Sequence, residues 1–257
     1  DWNPAQYLKF EQERTQPARD LANRIEIDAP ERVLDLGCGP GNSSAVLKRR
    51  FPHARVLGVD SSPDMIERAR KNLPDIEFRL FNATGGFSDL GEKWDVIFSN
   101  ACLQWVPDHR SLLPRLMEAL RPGGVLAVQV PLQSKAPVHR LMRELSHRPD
   151  RRAHLSGARP FHLFEISAYC DILTQCAASF AIWETDYFHI LPSHRAILDW
   201  YRGTGLRPYL AALPDSMREE FEQDLLRGVE ASFPTLKNGS ALFPFPRLFF
   251  VAKSKSI

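Results

Sequence analysis

Short apolar runs recur along the first half of the chain. RVLDL at Arg32–Leu36, RVLGV at Arg55–Val59, IEFRLF at Ile76–Phe81, WDVIFS at Trp94–Ser99 and VLAVQV at Val125–Val130 are rich in Val, Ile, Leu and Phe. Near-continuous apolar runs of this length fit strands covered on both faces. Between them lie amphipathic stretches with helical spacing, from about Asn42 to Arg50, Pro63 to Asn72 and His109 to Leu120. Ser62 and Pro63 supply an N-cap and a first helical residue. Pro122-Gly123-Gly124 stops the third helix. Ahead of the first strand, Tyr7, Leu8, Phe10, Leu21 and Ile25 read as helix, which Pro30 ends. Alternating strands and helices predict a doubly wound α/β fold with a parallel sheet.

The second half is less regular. Residues 133–165 carry a helix near Val138–Leu145 and a basic loop, HRPDRRAHLSGARPFH, at His147–His162. A helix near Glu165–Cys176 leads to an aromatic strand, Ser179–His189. A helical stretch from about Ser193 to Phe233 separates it from a last strand, Arg247–Val251. The strands then number seven, in a mostly parallel sheet within one domain spanning residues 1–257. The helices of residues 191–243 form an insertion between the last two strands. Such an insertion lies over the carboxyl ends of the strands, where an open α/β sheet binds its ligand, and reads as a cap.

Composition narrows the function. Hydrophobic residues make up 44% and charged residues 25%, which excludes a disordered chain. No apolar run approaches the roughly 20 residues of a membrane helix. The polar start, DWNPAQYLKFEQER, predicts no secretory leader. A net charge of +2 gives no drive toward nucleic acid. Cys38, Cys102, Cys170 and Cys176 show no CxxC spacing, so neither zinc nor a disulfide framework is expected, and reduced thiols fit a cytoplasmic protein. The histidines form no metal-ligand pair with a third ligand. A monomer without metal is the expectation.

The densest motif is Asp35-Leu36-Gly37-Cys38-Gly39-Pro40-Gly41-Asn42, between a predicted strand and a predicted helix. Glycine lets the backbone turn sharply and lets a ligand lie against it. The spacing is G-x-G-x-G, not the G-x-G-x-x-G of a dinucleotide fingerprint. Pro40 also removes an N–H where a pyrophosphate would need donors. Both features point to a cofactor without phosphates. Asp60 ends the next strand, nineteen residues after Gly41. A carboxylate there accepts hydrogen bonds from ribose hydroxyls.

VLDLGCGPGNSS and GVDSSPDMIERAR resemble motifs of the class I S-adenosylmethionine-dependent methyltransferases, which are Rossmann-like. DWNPAQYLKFEQER, FSNACLQWVPDH, VHRLMREL, PSHRAILDWYRGTGLRP and FPRLFFVA extend the resemblance to the branch that methylates trans-aconitate. It implies an O-methyltransferase esterifying a carboxylate of that compound or of a related small polycarboxylate. S-adenosylmethionine would be the cofactor and S-adenosylhomocysteine the product. Gly37, Cys38 and Gly39 would line the methionine part, with Asp35 orienting their loop. Asp60 and Ser61 would hold the ribose, and Met65 would pack on the adenine. Asn100 and Ala101 would face the cofactor through their backbone. Where the family has an acidic residue after the third strand, this chain has Asn82, then Ala83. An Asn oxygen still accepts from the adenine amino group, and its amide donates to a ring nitrogen.

The acceptor is ionised at neutral pH and needs no general base, so catalysis rests on alignment in a dry site. A polycarboxylate needs cations, and arginine's planar fork suits it. Arg14 lies on the N-terminal helix, residues 1–30, which in resembling enzymes closes as a lid. Arg207 lies in the cap. Arg143 lies one turn from His139. Trp105 follows the fourth strand and reads as a wall of the methyl-transfer site. Tyr7, His139 and His189 are further acceptor-binding candidates. The basic loop reads either as an anion-attracting rim or as a solvated loop. A same-fold enzyme for a different small acid, amine or phenol stays open, as does a non-catalytic cofactor-binding protein. A nucleic-acid methyltransferase would want a motif such as NPPY and a broad basic face, and has neither here.

Overall fold

The computed structural model describes residues 11–91, 93–132, 135–156 and 161–256. Helix α1 (Glu11–Ala22) leads into β1 (Arg32–Leu36), α2 (Asn42–Arg50), β2 (Arg55–Asp60), α3 (Pro63–Asn72), β3 (Glu77–Leu80) and β4 (Trp94–Asn100). Then come α4 (His109–Glu118), β5 (Leu120–Pro131), α5 (Pro137–Ser146), α6 (Pro149–Leu155), α7 (Ile166–Cys176) and β6 (Ser179–Leu191). Three helices follow, α8 (His194–Arg202), α9 (Arg207–Ala212) and α10 (Asp215–Ser232), before β7 (Ala241–Lys253) closes the sequence. The seven strands form one sheet in the order β3-β2-β1-β4-β5-β7-β6. The first five pair parallel, and β7 runs antiparallel to both β5 and β6. The order reverses between β1 and β4, which makes their carboxyl ends the switch point.

Strand alternation sorts the core. Val33, Val56, Val96 and Phe98 face α1, α2 and α3, packing on Leu21, Leu47 and Ile66. Leu34, Leu57, Ile97 and Leu126 face the other way, onto Leu112 and Leu116 of α4 and Leu173 of α7. Both faces are therefore dry, as the apolar runs required. A third core joins α5, α8 and α10 to the far ends of β6 and β7 through Met142, Trp200, Phe221 and Phe243. Ser62 caps α3 by accepting from the Met65 N–H at 3.4 Å, with Pro63 in the first turn.

Three expectations change. The third predicted helix ends at Glu118, and Pro122–Gly124 lie within β5, where the pairing with β4 shifts register between Trp94 and Val96. The last strand is longer than Arg247–Val251, because β6 pairs with it from Ser179↔Lys253 to Leu191↔Ala241. Its Pro244 and Pro246 lie before the β5 ladder begins at Pro131↔Arg247, where missing donors are tolerated. The basic loop contains α6, with Arg151 buried and His147, Arg148, Arg152 and His154 exposed. Arg151 pairs with Asp224 of α10 at 2.6 Å, and Arg148 reaches the same carboxylate at 2.6 Å. Arg159 of that stretch lies outside the described residues. Among the described residues no helix is long and apolar enough to cross a membrane.

Candidate active site

The strand ends at the switch point open into a groove of about 260 Å³ lined by the β1, β2, β3 and β4 exits. Its floor is the turn after β1. The Gly37 and Cys38 N–H groups donate to Val59 O at 2.8 and 3.0 Å, and Gly39 N–H donates to Asp60 Oδ2 at 3.0 Å. These bonds tie the turn to the end of β2. Gly37 has φ +78°, and a Cβ there would overlap the Cys102 side chain. Gly39 has φ +54°, and a Cβ there would stand in open space. The Asp60 carboxylate is fixed by Gly39 on one oxygen and by Ser62 N–H, at 2.9 Å, on the other. Burial raises its pKa from the ordinary carboxylate range.

Gly37, Gly39, Asp60, Ser61, Met65, Asn82, Ala83, Asn100, Ala101 and Trp105 all line this groove. One expected lining residue does not. Cys38 turns its side chain into the core beneath the turn, and its N–H is taken by Val59. Asp35 is fully buried behind the turn, where it accepts from Ser43 Oγ at 2.7 Å and Ser44 Oγ at 2.6 Å, tying β1 to the first turn of α2. Burial raises its pKa to about 6. Asn82 Oδ1 accepts from both Thr84 N–H and Thr84 Oγ, each at 3.0 Å. Its oxygen is thus committed to the turn, which leaves the amide as the side chain's remaining donor.

Beyond Trp105 lies a second, smaller chamber of about 90 Å³. It shares Asn100, Ala101 and Trp105 with the groove, so the two cavities adjoin. Trp105 ends a short 3₁₀ turn, Leu103–Trp105. Buried His109 steadies that turn from Leu103 O at 2.8 Å, with its other nitrogen 2.6 Å from the Tyr169 hydroxyl. Phe161 packs on Trp105 with ring centroids 4.6 Å apart. Arg14 enters the chamber from α1, donating to Trp200 O at 3.2 Å and lying over the Trp200 ring at 5.0 Å. The chamber's other side comes from α8, β7 and the turn after α8, through Tyr201, Gly205 and Arg247.

Residues 10–175 match the family described as "Methyltransferase domain". Over 260 residues the chain is 44% identical to a trans-aconitate 2-methyltransferase of Methylobacterium radiotolerans, covering 100% of this chain and 99% of that one. It is 46% identical over 256 residues to a trans-aconitate 2-methyltransferase of Escherichia coli, covering 98% of each. The chain belongs to the trans-aconitate 2-methyltransferase family. The fold is shared with the YcgJ protein of Bacillus subtilis, at a TM-score of 0.59 and 16% identity over 94% of this chain and 100% of that one.

Within this methyltransferase the acceptor candidates divide. Arg14 and His139 line the chamber; Arg207, Arg143 and His189 do not. Arg207 opens α9, directly after the buried Leu206. Arg143 is exposed on the outer face of α5. His189 is buried behind the wall, stacked on Trp200 at 5.0 Å. Tyr7 lies outside the described residues. Burial lowers the pKa of His139 to about 3 and that of His189 to about 4, so both are neutral at pH 7.

Among the chamber residues that the pattern did not single out are Gln104, Tyr201 and Arg247. The signal for Arg247 was in view, because a cation inside the apolar run FPRLFFV must be buried or lost from the sheet. Tyr201 and Gln104 carry no such mark.

Proposed function

We propose that this enzyme transfers the methyl group of S-adenosylmethionine to a carboxylate of trans-aconitate or of a closely related small polycarboxylate. The observation that carries the reading is a small chamber lined by two buried arginines, Arg14 at 8% and Arg247 at 3% exposure, and joined to the groove at Trp105. The groove suits the cofactor. Gly39 leaves open space at its floor, and Asn100 Oδ1 is buried there without a protein partner among the described residues. Asp60 would hold the ribose, Met65 would pack on the adenine, and Asn82 and Ala83 would border it.

When bound, the cofactor supplies a methyl group on a positively charged sulfur, ready to leave. The chain's residues bind and align the acceptor. Arg14 and Arg247 hold carboxylates, and Trp105, Phe161 and Trp200 keep the chamber dry, which strengthens both attractions. The attacking carboxylate is already ionised, so no residue need take a proton. Neutral His139 fits that role as wall and not as base. We assign α1 as a lid and α8–α10 as a cap over the chamber, because Arg14 and Tyr201 reach it from those helices. Four free cysteines fit a reducing compartment such as the cytoplasm.

The test is mass spectrometry of trans-aconitate incubated with the protein and S-adenosylmethionine. A mono-methyl ester is expected. No ester, with cofactor binding verified by calorimetry, would move the assignment to another small acceptor.

A further inference from the structure

The chamber's two arginines differ in their setting. Arg14 rests on the Trp200 carbonyl and ring. Arg247 sits in β7 opposite Pro131, and its Nη1 donates to Gln129 Oε1 at 3.0 Å. Gln129 is wholly buried in β5, and its Nε2 has no partner among the described residues. The guanidinium lies over the Phe245 ring at 4.6 Å. A neutral amide and an aromatic face orient the guanidinium, and a carboxylate at position 129 would oppose its charge. Tyr201 is 1% exposed and lines the same chamber, and its hydroxyl has no partner among the described residues. Burial raises the Tyr201 pKa, which keeps that hydroxyl a donor. A buried donor of this kind is costly unless a ligand completes it.

We propose that Arg247, oriented by Gln129, and the Tyr201 hydroxyl form a subsite for one non-reacting carboxylate of the acceptor. This rests on the polycarboxylate reading above. A tricarboxylate keeps two carboxylates after the third is esterified, and Arg14 and Arg247 offer two separate anchors for them. Arg247 and Tyr201 would then touch the substrate, and Gln129 would be a positioning residue.

The test crosses substrate truncation with mutation. Itaconate, mesaconate and glutaconate each lack one of the three carboxylates of trans-aconitate. Arg247→Gln is expected to lower kcat/KM for trans-aconitate by about 30-fold, the scale of a lost charge-assisted bond. For the dicarboxylate lacking the anchored group the same change should cost less than about threefold, because the two deletions remove one interaction. Tyr201→Phe, which keeps the ring, should show the same pattern at about fivefold. Gln129→Glu should raise KM for trans-aconitate about tenfold with kcat held and cofactor affinity unchanged by calorimetry. Equal losses on all four acceptors in Arg247→Gln and Tyr201→Phe, or an unchanged KM in Gln129→Glu, would overturn the subsite alone. A wild-type enzyme that leaves trans-aconitate unmethylated would overturn the functional reading and the subsite with it.

Discussion

The groove and the chamber are built by different means. The groove is made of backbone turns at strand ends, and its lining falls between Leu36 and Pro107. Glycines, a tethered carboxylate and short loops shape it. The chamber is made of side chains drawn from Arg14 to Arg247, with aromatic rings and two arginines. A groove of backbone offers the same shape to a fixed ligand whatever surrounds it. A chamber of side chains can change acceptor by changing a few residues, while the sheet beneath stays as it is.

The largest effect should come from the groove. Asp60→Ala removes the proposed ribose acceptor and leaves the Gly39 and Ser62 N–H groups without theirs. Cofactor affinity should fall by about 100-fold or more, by calorimetry. An unchanged affinity would remove Asp60 from the cofactor site. Gly37→Ala comes next. Its φ of +78° and the contact with Cys102 should cost about 2–3 kcal/mol, read from urea unfolding. A wild-type midpoint would mean that the turn can relax.

The chamber should respond more selectively. Arg14→Gln is expected to raise the acceptor KM about tenfold while cofactor affinity stays within about twofold. Arg207→Ala, outside the chamber, should leave KM within about twofold. A large KM change in the second variant and none in the first would invert the division between them.

Acid separates the buried groups beside the two cavities by sign. His139 and His189 titrate in the folded state at about 3 and about 4, below the ordinary 6.5. The unfolded chain then binds more protons, so their contribution is full above pH 6.5 and lost as pH falls through that window. Asp35 is raised from 3.8 to about 6, so its contribution is full below pH 3.8 and lost as pH rises through about 6. Between pH 7 and 5, His139→Phe should flatten the loss of stability, and Asp35→Asn should steepen it. Urea midpoints across that range measure both, and parallel wild-type and variant curves would refute the assignment.

The sequence made the groove legible because its residues are neighbours. The turn from Asp35 to Asn42 and the strand end at Asp60 each carry their role within a few positions. The chamber was legible only where a segment resembled its family. Arg14 was found that way, and so was Arg207, which opens α9 outside the chamber lining. Helix α6 escaped because its stabilising partner is remote. Arg151 reads as one more solvated charge until Asp224 of α10 is placed against it. Arg247 escaped because strand RLFFV was read for its apolar residues alone.

The span of the chamber has a consequence in time. Arg14 bonds to Trp200 across 186 positions, and the facing arginine is supplied by the last strand. Every residue lining the groove has left the ribosome long before that strand does. The chamber proposed for the acceptor is therefore complete only when the strand that carries Arg247 slides between β5 and β6. A nascent chain has every residue of the groove before it has those of the chamber.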